Sequence, residues 1–130
     1  MLPAPGQGAL ALEISRSLSI EHRAAVAALD HPTARAESLA ERGFLAALEA
    51  GCTAPVGTRV VVKSVRGTTL DLTLTAVIGR TLLSNLSEPP KTDPVLRFEA
   101  SGTSLEPWDF GVYQAGQVLS ALPDLPRPRR

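Results

Sequence analysis

At 130 residues, 44% hydrophobic and 20% charged, the chain has the size and mix of one soluble globular domain with a modest core, and it is too short for two full-sized domains. Thirteen Lys and Arg balance thirteen Asp and Glu, so no net field draws the molecule to nucleic acid or to an anionic membrane. The lone Cys52 excludes an internal disulfide and a cysteine-rich zinc site, and the longest uncharged run, Phe110 to Pro123, falls short of the roughly 20 apolar residues that span a bilayer.

From Gly8 to Ile14, the larger residues Leu10, Leu12 and Ile14 alternate with smaller or polar ones, a period of two that predicts a strand. Ser19 is the expected N-cap of a helix from Ile20 to Leu29, with Glu21 in the first turn where the helix dipole favours an anion. His31-Pro32 is expected to end it. Thr33 is the expected cap of a second helix reaching about Ala50. Its apolar face is Ala36, Leu39, Ala40, Phe44, Ala47 and Leu48, and Glu37, Glu41 and Arg42 are assigned mostly to a solvated face. Gly51 stands where a left-handed C-terminal residue is expected, which places Cys52 in a short loop.

Beyond that loop, Thr58 to Val65 is β-branched and Arg66-Gly67-Thr68-Thr69 is a turn candidate. Leu70, Leu72, Leu74 and Ala76 then alternate with Asp71, Thr73 and Thr75, predicting an antiparallel hairpin with one wet face. Arg80 to Pro94 reads as a long turn, Val95 to Ala100 as a third strand, and Pro107 to Leu122 as a helix. The predicted stripe of that helix is Trp108, Val112, Ala115, Leu119 and Leu122, and Gly111 and Gly116 weaken it by about 1 kcal/mol each. Pro123 to Arg130 reads as a disordered tail. The expected fold class is α+β: a three-stranded antiparallel sheet covered by helices, preceded by a strand and helix. With one Trp, one Tyr and three Phe, the core must rest on Ala, Leu and Val.

No residue set reads as catalytic or metal-binding. His22 and His31 are nine apart on different elements. Gly6-Gln7-Gly8 suits either a simple turn or a close backbone approach to a ligand, because the two flanking residues lack Cβ and Gln7 both donates and accepts. Cys52 suits either a small buried hydrophobe or a thiol that attaches once to a strong electrophile. Its place after a helix C-terminus, where the dipole raises a thiol pKa, argues against a resting thiolate. The start, Met1-Leu2-Pro3-Ala4-Pro5-Gly6, lacks the basic, apolar leader of an exported protein, so the cytoplasm is the expected compartment.

Three ordered blocks, Leu2-Pro3-Ala4-Pro5-Gly6-Gln7-Gly8-Ala9-Leu10-Ala11-Leu12-Glu13, Ala40-Glu41-Arg42-Gly43-Phe44-Leu45 and Leu48-Glu49-Ala50-Gly51-Cys52-Thr53-Ala54-Pro55-Val56-Gly57, resemble hydroxymethylbilane synthase, also called porphobilinogen deaminase. The resemblance implies a transferase of haem biosynthesis that joins four porphobilinogen molecules, with release of ammonia, into hydroxymethylbilane. It implies a dipyrromethane cofactor held by a thioether to Cys52, with Gln7 and Gly8 as cofactor contacts. It also implies only the C-terminal portion of such an enzyme. Residues 1–31 would be a segment returning to an absent first domain, 32–122 the cofactor-attachment domain and 123–130 a tail. Ala50 replaces a glycine of the family's usual Glu-Gly-Gly-Cys, and no position matches the family's catalytic aspartate or substrate-binding arginines. The implied partners are porphobilinogen, the growing oligopyrrole and the N-terminal domains, so the isolated chain is expected to be inactive. Self-association through Ala9 to Ile14 is a further expectation, and the alternative is a non-catalytic interaction or small-ligand module derived from that domain.

Overall fold

The computed structural model describes residues 1–49, 55–79 and 95–121. Among them run α1 (Ile20–Ala27), α2 (Pro32–Ala47), β1 (Val56–Arg66), β2 (Thr69–Gly79), β3 (Val95–Ser104) and α3 (Pro107–Ala121). The strands form an antiparallel sheet in the order β1-β2-β3, so the α+β prediction holds. The reading of β2 as a half-buried strand also holds: Leu72, Leu74, Ala76 and Ile78 are buried, and burial of each larger side chain contributes about 2 kcal/mol. Gly67 makes the tight link from β1 to β2 at φ 62°, a conformation that side-chain-bearing residues resist. The third strand runs to Ser104, four residues past its predicted end.

Helices α2 and α3 cover one face of the sheet. Phe44, Phe110, Ala115 and Val118 join Val56, Val60 and the buried β2 residues in one core, and Phe44 stacks on Phe98 with ring centroids 6.4 Å apart. The two helices meet backbone to backbone. A Cβ on Gly111 would overlap the Ala40 carbonyl and sit 2.7 Å from the Phe44 amide nitrogen, and one on Gly43 would overlap the Trp108 carbonyl. The stripe predicted for α3 is therefore corrected. Its buried residues are Phe110, Gly111, Gln114, Ala115 and Val118, whereas Trp108 and Val112 are exposed. Glycine supplies the contact face there, and a pattern built on large apolar residues passes over it.

The helix ends differ from expectation as well. His31, not Thr33, caps α2, its Nδ1 accepting the Ala34 N–H at 3.2 Å, and Pro32 fills the first turn where no intrahelical donor is needed. The helix stops at Ala47, and the left-handed residue after it is Glu49, at φ 51°. Gly51, the residue predicted for that role, lies outside the described residues, as do Arg80 to Pro94, Leu122 and the tail Pro123 to Arg130.

Upstream, Ser19 caps α1 as predicted, and the Glu21 carboxyl is held below its ordinary pKa by its own backbone N–H and by the Ser19 hydroxyl. No residue of α1 is buried. The strand predicted for Gly8 to Ile14 does not form: these residues join no ladder, and Leu10 is 97% exposed. Period-two patterning needs a partner strand to become a strand, and the described residues provide none. No helix among them is long and apolar enough to cross a membrane.

The glycine contact yields a paired test. Gly111→Ala is expected to cost about 3 kcal/mol or more, since the helices must part to admit the methyl group. Gly116→Ala meets nothing within 4 Å and is expected to gain up to about 1 kcal/mol from helix propensity. Urea unfolding followed by far-UV circular dichroism measures both.

Candidate functional site

Strand β1 is an edge strand, and its outward amides need acceptors. Each of three alternate residues has one. The Thr58 N–H donates to the Pro3 carbonyl at 2.9 Å, Val60 to Glu41 Oε1 at 2.9 Å and Val62 to Glu37 Oε1 at 3.0 Å. Both glutamates project from α2 one helical turn apart, so their spacing matches alternate residues of the strand. The sequence reading of Glu37 and Glu41 as solvated helix charges is overturned. Glu41 is 9% exposed, and its second oxygen, Oε2, accepts the Gly6 N–H at 2.7 Å. The clue in the sequence was position: Glu41 lies four residues after Glu37 and three before Phe44, on the side of α2 that also carries Ala40.

Around Gly6 the chain forms a compact turn. Gln7 N–H donates to the Ala4 carbonyl at 3.0 Å and Ala9 N–H to the Gly6 carbonyl at 3.1 Å. Gly6 and Gly8 stand at φ 71° and 88°, which fits both the turn and the ligand-approach readings. Gln7 itself is exposed. Glu41 thus joins the first sequence block to the second. The first also meets the third at Gly57, where a Cβ would come within 3.0 Å of the Leu2 carbonyl oxygen.

Cys52 lies outside the described residues. On one side of it, Glu49 N–H donates to the Ala46 carbonyl at 3.0 Å; on the other, the Pro55 carbonyl accepts the Gly79 N–H at 2.7 Å. An open cavity of about 830 Å³ adjoins Pro55 on the sheet face away from the helices, walled by Leu2, Gly57, Val77, Arg97 and Glu99. Its walls are mostly apolar, with Arg97 as the one cationic side chain among the described residues that line it. The remaining arginines of the described elements are spread over α1, α2 and β1, and Arg35 and Arg66 pair with Asp30 and Asp71 at 3.1 and 3.3 Å. Among the described residues no group of His, Cys, Asp and Glu could hold a metal ion. Among the described residues the cavity walls bring no set of cationic side chains together for a polycarboxylate.

Residues 35–88 match the family described as "Porphobilinogen deaminase, C-terminal domain". The chain is 46% identical over 95 residues to "Porphobilinogen deaminase 1" of Streptomyces coelicolor, a match covering 73% of this chain and 30% of that protein. It is 39% identical over 127 residues to "Porphobilinogen deaminase" of Acidothermus cellulolyticus, covering 95% of this chain and 34% of that protein. A 57-residue stretch is 60% identical to "Porphobilinogen deaminase" of Mycobacteroides abscessus, covering 44% of this chain and 18% of that protein. The chain spans about a third of the length of the relatives it matches over most of its own length.

The left-handed Glu49 generates a prediction about the approach to Cys52. Glu49→Gly relieves the Cβ strain of positive φ and is expected to stabilise the fold by up to about 1 kcal/mol, less the extra freedom it gives the unfolded chain. Thermal unfolding of the two proteins under one buffer condition measures the difference.

Proposed function

We propose, on the premise that residues 35–88 are a porphobilinogen deaminase C-terminal domain, that this chain supplies the cofactor-bearing part of a hydroxymethylbilane synthase. The observation that carries the reading is the convergence of the three blocks on one edge of the domain. Glu41 holds the Gln7 turn, and Leu2 and Pro3 pack at the start of the strand that follows Cys52 in sequence.

In this reading the Cys52 sulfur attacks the methylene of an azafulvene derived from porphobilinogen. One C–S bond forms as the exocyclic double bond opens toward the ring, and the pyrrole nitrogen takes up the proton that the thiol gives up. Addition of a second azafulvene at the free α-carbon of that ring, which gives up its proton as the second ring's nitrogen takes one, would complete a dipyrromethane, whose own free α-position would be where the chain of rings grows. Gln7 presents an exposed amide that can donate to a carboxylate or accept from a pyrrole N–H, and Gly8 leaves its backbone open beside it. The apolar cavity beside Pro55 suits a ring face, and Arg97 suits one acidic side chain.

A dipyrromethane bears several carboxylates, and the described residues bring one cationic side chain to that cavity. The bond-making steps are proposed to draw further cations and an acid–base group from other domains, so that the 130 residues alone are inactive. An interaction role is favoured by a separate observation, the exposure of Leu10, Leu12 and Ile14 beside a helix with no buried residue. That face is the proposed contact with further domains or with a second copy.

Intact mass of the chain as purified, with peptide mapping, tests the carrier role. The expected result is a dipyrromethane-sized increment on the Cys52 peptide that disappears in Cys52→Ser. A bare mass would count against the carrier role, and a Cys52→Ser chain that still binds its partner would favour the interaction module. The isolated chain is also expected to release no ammonia from porphobilinogen, and steady ammonia release by it would overturn the proposed dependence on other domains.

A further inference from the structure

We infer that Glu41 is a positioning residue: its carboxylate latches the Gly6–Gly8 turn, and Gln7 with it, to the edge of the sheet. The turn has little else to hold it. Cβ atoms placed on Gly6 or Gly8 meet nothing within 4 Å, so the turn stands clear of side-chain packing. Its internal bonds, from Gln7 to Ala4 and from Ala9 to Gly6, fix its shape and not its place. Upstream, Pro3 is tied to Thr58, but two glycines at positive φ lie beyond that anchor, and glycine resists rotation least. The described bond from the domain to residues 4–9 is the one from Gly6 N–H to Glu41 Oε2.

The two oxygens of Glu41 do different work. Oε1 accepts the amide of Val60, which is buried at 3% exposure, and Oε2 accepts the less buried amide of Gly6. No described Lys or Arg pairs with the carboxylate, so two backbone dipoles balance its charge. A glutamine in its place has one accepting oxygen, and its NH₂ would face the other amide donor to donor. Desolvation decides which bond survives: an unpaired amide costs most where water cannot reach, so the carbonyl stays with Val60 and Gly6 is released. Glu37 is the internal control. It caps Val62 from the same helix face and bonds nothing in residues 1–9.

The latch deepens the proposed function, because Gln7 is a cofactor contact only in that reading, but its test needs no cofactor. In a Cys52→Ser chain, nitroxide labels at Ala9→Cys and Lys63→Cys, both exposed positions, report the turn-to-sheet distance by pulsed electron paramagnetic resonance. The expected result is one narrow distance distribution that Glu41→Gln broadens and Glu37→Gln leaves narrow. In unlabelled Glu41→Gln, Gly6 amide exchange is expected to speed up about tenfold while Val60 stays protected, as befits loss of one charge-assisted hydrogen bond. Should Glu41→Gln fold poorly, Glu41→Asp keeps the charge on a shorter arm that cannot span both amides, and it is expected to broaden the distribution likewise. A distribution that stays narrow in the folded Glu41 variant, or that Glu37→Gln broadens equally, overturns the latch. A missing dipyrromethane on Cys52 overturns the carrier role alone and leaves these distances unaffected.

Discussion

An edge strand with unpaired amides is the constraint on which this arrangement depends. Water could satisfy the outward face of β1, but an open edge also invites pairing with any passing strand. Here three alternate amides are taken by two carboxylates from α2 and one carbonyl from the N-terminal segment. The solution fixes more than the edge. It sets the rotation of α2 about its own axis, since Glu37 and Glu41 must both face β1, and that rotation turns Ala40, Gly43 and Phe44 toward the sheet and α3. It also ties residues 2–6 to the domain, adding hydrogen bonds at Pro3 and Gly6 to the packing of Leu2 against Gly57.

The helix layer answers a second constraint, the shortage of large side chains. A core built chiefly on Ala, Leu and Val has little apolar area per residue, so it must bring backbones close to keep packing dense. Gly43 and Gly111 permit that approach, and the intrinsic cost of glycine within a helix is offset by contact between the helices. Phe44 and Phe110 then carry much of the remaining burial, at 0% and 5% exposure.

These two constraints explain what could and could not be read in the sequence. The hairpin was legible because β2 alternates over its buried length and Gly67 marks the turn. The helices were legible as elements, with errors of a few residues at their ends, where His31 and Glu49 take roles more often filled by other residue types. The α3 face was misread because its closest contact runs through Gly111, with Gln114 buried beside it, and a count of large apolar residues follows neither. Glu41 was misread because charge at helical spacing looks the same whether it meets water or an edge strand. Only the tertiary position of β1 separates the two, and that information is absent from the local pattern. The strand predicted at Gly8 to Ile14 fails for the converse reason, since its pattern is local and its partner is not. Of the candidate site, the resemblance supplied Cys52, Gln7 and Gly8 as positions, while the residue that ties one of them to the fold came only from geometry.

The position of Gln7 also bears on how a covalent carrier can work. A thioether-bound group must stay attached to one atom while its far end serves different partners, so the rigid contacts belong near the attachment point and freedom belongs beyond it. In this chain the fixed features gather along the start of β1: Pro55 bonded to Gly79, Leu2 and Pro3 against Gly57 and Thr58, and the Gln7 turn on Glu41. The segments on the far side of that cluster, Leu10 to Ile14 and α1, bury no residue of their own. Rigidity along the start of β1 and exposed apolar surface beyond it are the division that the proposed carrier role calls for, with one end of a ligand fixed and the rest of the site completed by contact.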